Sequence, residues 1–164
     1  MKSVTSSTTV PQNSIISTDF PKINYCDSYR ITKSTNDTVE EITAAIFNLP
    51  KWVNGLMAIR NSIVAIFGLK SDKKVKEEQT TYFTIIEQNE NEIVMGENDK
   101  HLDFRTSVFV DRANSFIYLT TIVHYNNFWG RAYFFFIKPF HKIIIRSILK
   151  RQLHKTQKNE QQNL

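Results

Sequence analysis

With 164 residues, 41% of them hydrophobic, and Phe 12, Tyr 6 and Trp 2 against only four Gly and four Pro, the chain has apolar mass for one packed domain and too much for a disordered one. The formal charge of +5 is local: residues 131–164 carry eight Lys/Arg and one acid, leaving thirteen bases against fifteen acids elsewhere, so the domain is not built as a nucleic-acid binder. The single cysteine, Cys26, excludes an internal disulfide and any multi-cysteine metal site, and it fits a reducing, cytoplasmic setting.

Residues 1–20 lack an apolar run of signal-peptide length and read as a polar, mobile tail. Residues 21–154 form the domain, and 155–164 a second polar tail. The first strand is expected at 25–31, YCDSYRI. After the polar break TKSTND, Thr38 and Glu41 have the spacing of a capping box, which opens a short helix with the stripe Ile42, Ile46, Leu49 and a stop at Pro50. Residues 51–67 predict a second helix, with Trp52, Leu56, Ile59, Ile63 and Ile66 three or four residues apart and Gly68 as its C-terminal stop.

Past the charged loop 71–79, alternation and turn residues predict strands at 82–87, 92–97, 101–110 and 116–125, an antiparallel meander. In the strand HLDFRTSVFV, His101, Asp103, Arg105, Ser107 and Phe109 share one face and Leu102, Phe104, Thr106, Val108 and Val110 the other. A four-residue turn at 111–114 would set His101 opposite His124 and Asp103 opposite Ile122. From 131 onward, Tyr133, Phe136, Ile137, Phe140, Ile144 and Ile148 make one stripe of a long amphipathic helix, with Lys138, Lys142 and Arg146 opposite. Pro139 either kinks that helix or opens it after a last strand at 131–138; the aromatics do not alternate, which favours the helix. No segment is apolar enough to span a bilayer, since Lys138, His141, Lys142 and Arg146 interrupt the most hydrophobic stretch. The order of elements gives an α+β fold: a curved antiparallel sheet wrapped around a long C-terminal helix, with two short helices after the first strand.

The strings PKWVNGLMAIRNSIVAIFGLK (50–70), MGENDKHLDFRTSVFV (95–110), LTT (119–121) and NNFWGRAYFFFIKPFHKIIIRSILKR (126–151) occur together. In this combination the chain resembles an uncharacterised bacterial family of the SRPBCC superfamily, also called START-like, polyketide cyclase-like or helix-grip. The resemblance implies a sheet gripping the last helix around a cavity closed by the two N-terminal helices. Superfamily members include lipid and hormone carriers, polyketide cyclases and aromatase-like enzymes, so the fold does not fix an activity. The charged loop replaces a strand usual near residues 69–80, which implies a shallower or more open cavity.

His101, Asp103, His124 and His141 are the candidate acid–base residues. Three convergent ligands are lacking and Arg105 repels a cation, so neither a metal nor another cofactor is expected. Arg60, at the edge of its helix stripe, either pairs with Asp103 or Asp99 or extends to water while Asp103 pairs with Arg105. A small apolar or amphipathic ligand would touch Trp52, Phe104, Tyr118, Trp129, Tyr133 and Phe136, with Arg60 or Arg105 orienting its polar end. The absence of a strong catalytic constellation favours such a binder over the alternative, a cyclase- or dehydratase-type enzyme using His/Asp chemistry. The bases Arg131, Lys138, Lys142, Arg146 and Lys150 read as a solvated helix face, an anionic membrane being the other partner they would attract.

Overall fold

A run of extended segments and one long C-terminal helix divide the chain into a sheet and a helical layer. A computed structural model describes residues 3–49, 52–53 and 83–162. Its elements are β1 (Thr5–Ser7), β2 (Tyr25–Thr32), α1 (Val39–Phe47), β3 (Thr84–Gln88), β4 (Glu92–Asn98), β5 (Leu102–Asp111), β6 (Phe116–Tyr125) and α2 (Phe128–Gln162). The strands form one curved, open antiparallel sheet in the order β1-β2-β6-β5-β4-β3. The expected α+β plan, with a long C-terminal helix against the sheet, is what the chain adopts. Most of the second short helix, including Arg60, and the 71–79 loop lie outside the described residues; Trp52 and Val53 are helical.

α1 starts where the capping box places it. Thr38 Oγ1 accepts from the Glu41 N–H at 3.2 Å and Glu41 Oε2 from the Thr38 N–H at 2.8 Å, satisfying two donors that a helix start leaves open. Val39, Ile42, Ile46 and Phe47 then enter the core, which α1 shares with β4, β5 and α2.

The β5–β6 hairpin departs from the expected register. Asp111 pairs with Phe116, so the four-residue turn is 112–115 and not 111–114, and Asp103, not His101, stands opposite His124. Asp111 selects this turn: its carboxylate accepts from the Asn114 N–H at 3.1 Å and the Asn114 side chain at 2.8 Å, while Ser115 takes the left-handed φ of 57°. The offset is two residues, so every side chain keeps its face.

α2 runs as helix through Pro139, which removes the strand alternative for residues 131–138. Its buried face is turned from the expected stripe: Tyr133, Phe134, Ile145, Ile148, Leu149 and Leu153 are buried, whereas Phe136 is exposed and Phe140 half-buried. Each aromatic of the run 133–136 satisfies a helical period, so spacing alone could not choose among them.

A second correction concerns residues 1–20, expected as a polar, mobile tail. β1 pairs with β2, and the segment after it lies across the sheet face away from the helices, where Ile16, only 1% exposed, packs on Val94 and Ile122 with Val10, Ile15, Phe20 and Cys26 around them. Glu92, fully buried, holds this layer: its carboxylate accepts from Ser14 Oγ at 2.6 Å and the Ile15 N–H at 2.8 Å.

The start of α2 is locked to the β4–β5 turn. Asn127 Oδ1 accepts from the Gly130 N–H at 3.0 Å as a helix cap, and its amide donates to the Lys100 carbonyl at 3.0 Å. Gly130 lies so close to the His101 carbonyl that a Cβ would overlap it. Gly130→Ala is therefore expected to lift the helix start and lower stability by about 2 kcal/mol or more, read as a fall in the urea midpoint; an unchanged midpoint would contradict this close approach.

Candidate functional site

On β2, alternation sends Tyr25, Asp27, Tyr29 and Ile31 toward α2 and Cys26, Ser28 and Arg30 to the other face. An aspartate thus enters the core, with 4% of its surface exposed. Cross-strand pairing sets Asp27, Thr121, Thr106 and Met95 in one row across β2, β6, β5 and β4, all of them buried. The polar part of this row, Asp27, Thr121 and Thr106, lies between two apolar clusters of the inner face, Met95 belonging to the first. One holds Tyr29, Ile31, Val108, Val110, Ile117 and Leu119 under α1 and the second half of α2. The other holds Leu102, Val123, Tyr133 and Phe134, joined by Tyr25, Phe104, Tyr125 and Ile137.

His141 descends onto the row from α2. Its Nε2 is 3.3 Å from Asp27 Oδ1, while Asp27 Oδ2 accepts from the Tyr25 hydroxyl at 2.8 Å. Both carboxylate oxygens are therefore engaged, one by an imidazole and one by a phenol. Two cations of α2 flank the group, Lys138 Nζ at 4.8 Å from the Tyr25 ring centroid and the Arg146 guanidinium at 5.8 Å from that of Tyr29. The Tyr25 ring meets Phe134 edge-on at 4.7 Å, which fixes the hydroxyl that reaches Asp27. Such a carboxylate–imidazole pair orients the imidazole, so His141 is placed either to move a proton or to contact a polar ligand group.

Burial, followed by the charge of Asp27 and its hydrogen bond, pushes the Tyr25 hydroxyl far above its ordinary value. Burial and then Asp27 raise the Cys26 thiol from 9.0 to about 11. Tyr29 is raised by burial and Asp27 against the opposing Arg146, and Tyr125 by burial against Arg131. All four groups are neutral when protonated, and their folded pKa values exceed the unfolded ones, so the folded state holds more protons in alkali. The Cys26 contribution is fully present below its ordinary value of 9.0 and is lost as pH rises through about 11, and those of the tyrosines begin to be lost above their ordinary value of 10.0. The melting temperature should accordingly fall over that window, with tyrosinate absorbance appearing together with unfolding; a melting temperature that rises there would contradict the burial of these groups.

The other sequence candidates take different places. His101, Asp103 and Arg105 lie on the sheet face away from α2, and their partners are structural. His101 Nδ1 meets the Asn127 amide, Asp103 Oδ1 accepts from the Asp99 N–H and Asn126 Nδ2 at 3.1 Å each, and together they bind the β4–β5 turn to the loop before α2. Arg105 donates to Asn98 Oδ1 at 2.8 Å and the Phe104 carbonyl at 3.0 Å, and covers the Phe20 ring of the N-terminal layer at 5.3 Å. Burial holds its guanidinium below the ordinary value, against the pull of Asp103. His124 stands on the same outer face, its Nδ1 buried and without a hydrogen-bond partner among the described residues. Tyr118, also outer, stacks on Phe109 at 5.8 Å. Phe104 and Tyr133 belong to one cluster, that beside Tyr25, whereas Trp52, Trp129 and Phe136 are exposed.

Asp27, Tyr25 and Tyr29 were absent from the sequence candidates. The available signal was an acid at an inward position of the strand YCDSYRI, flanked by tyrosines two residues either side, together with a histidine on the sheet-facing side of the last helix. Among the described residues no group of three His, Cys, Asp or Glu side chains is placed to hold a metal ion. No helix among them is long and apolar enough to cross a membrane.

No curated protein and no solved structure matches the chain. A family model does, over residues 20–148, from just before β2 into the helix that carries His141. The chain belongs to that family, described as protein of unknown function (DUF2867).

Proposed function

We propose that the domain binds a small amphipathic molecule between the sheet and α2. The polar end meets the Asp27–His141 pair, and the apolar body lies against Tyr25, Phe104, Tyr125 and Phe134. The observation that carries this reading is the buried polar row, a hydrogen-bonded carboxylate, imidazole and phenol between two apolar clusters where an uninterrupted hydrophobic core would be more stable. Lys138 and Arg146 beside it favour an acidic or hydroxylated end. The START-like resemblance of the sequence supports the same location, and the lone Cys26 a cytoplasmic setting.

A second reading, an enzyme of cyclase or dehydratase type, draws on the same pair, with Asp27 orienting His141 as the base. Native mass spectrometry of the protein purified from its host separates the cases. A retained lipid-like mass supports binding, and conversion of that molecule by the wild type but not by His141→Ala moves the assignment to catalysis. An empty protein under gentle release conditions contradicts both.

A further inference from the structure

The sheet-facing side of α2 is packed, but its outer side carries apolar residues that no globular core requires. Phe128 is 74% exposed, Phe135 72% and Ile143 57%, and with exposed Pro139 they follow one helical line. The line continues into exposed Lys150, while Arg146 at its edge turns its guanidinium back over Tyr29, so the outward face passes from aromatic to basic along its length. Arg131, exposed, and Lys142, half-buried, border the aromatic part. From residue 128 to residue 153 the helix bears six Lys/Arg and no acid.

We propose that this outer face of α2 docks on an anionic lipid surface, Phe128, Phe135 and Ile143 entering the headgroup–acyl boundary while Lys150 and Arg131 contact the anionic headgroups. Aromatics beside a one-signed basic face are the composition of an interfacial helix that lies in the membrane plane without spanning it. A second copy of this chain fits poorly, because pairing these faces would oppose two helices of like charge. A nucleic acid would use the bases but has no use for the apolar line.

The test is flotation of the full chain with phosphatidylcholine vesicles, with and without phosphatidylserine, at low and high salt. Binding is expected only with phosphatidylserine and is expected to weaken with salt. Phe135→Ser, at an exposed position where folding is not at stake, should weaken binding about tenfold, and Lys150→Ser roughly fivefold, each with wild-type melting temperature. Absence of binding to anionic vesicles at low salt overturns the proposal. So does binding unchanged by Phe135→Ser, which marks a plain polyanion site. A concentration-dependent dimer abolished by Phe135→Ser, without vesicle binding, overturns it in favour of self-association.

Discussion

Glu92→Ala is expected to lower stability by about 3 kcal/mol, since hydrogen bonds to a charged group contribute roughly 1.5–3 kcal/mol and two neutral donors would lose their acceptor. Those donors, the Ser14 hydroxyl and the Ile15 N–H, belong to the layer that covers the outer sheet face. The loss therefore has a local readout besides the global one. Cys26 packs beneath that layer, and its alkylation should quicken on the order of tenfold once the layer opens more often. Alkylation at the wild-type rate, with unchanged stability, would show that Glu92 does not hold the segment. Glu92→Gln retains the shape but turns an amide toward one of the donors, so an intermediate effect is expected.

Asp27→Ala removes the acceptor shared by Tyr25 and His141 and leaves both polar groups facing an apolar interior. Breaking a buried pair by deleting one partner costs about 3–5 kcal/mol, and the 20% exposure of the His141 side chain places this case at the lower end. A double-mutant cycle with His141→Ala should return a coupling of about 1 kcal/mol, and a value near zero would mean that the two side chains do not interact. Asp27→Asn, which still accepts from Tyr25 but carries no charge, should cost less.

Elements governed by local chemistry were legible in the sequence. The Thr38–Glu41 spacing gave the helix start, and alternation gave the strands and the two faces of β5, because period and capping act within a few residues. The hairpin register was misjudged by two residues, since the turn depends on which side chain, Asp111 or a neighbour, wins the Asn114 donors. The N-terminal layer was hidden because its apolar residues, Val10, Ile15, Ile16 and Phe20, are sparse and have no period; distant residues, among them the buried Glu92, Val94, Ile122 and Arg105, give them a place.

The candidate site shows the same division. Charge density drew attention to the stretch from His101 to Arg105, yet those groups serve the junction with α2 and the N-terminal layer. The pair that enters the core, Asp27 and His141, lies 114 residues apart. Nothing local in YCDSYRI says that a histidine will close over its aspartate. That contact exists because β2 stands beside β6 and α2 crosses both.

The most direct measurement is native mass spectrometry of wild type and Tyr25→Phe purified side by side from the host. Tyr25→Phe keeps the ring that packs on Phe134 and removes only the hydroxyl that reaches Asp27. A bound small molecule on the wild type, retained at least about tenfold less by the folded variant, is the predicted result, as expected for a lost hydrogen bond near a charged group. A ligand held equally by both, or none on either, would contradict a site built on Tyr25, Asp27 and His141.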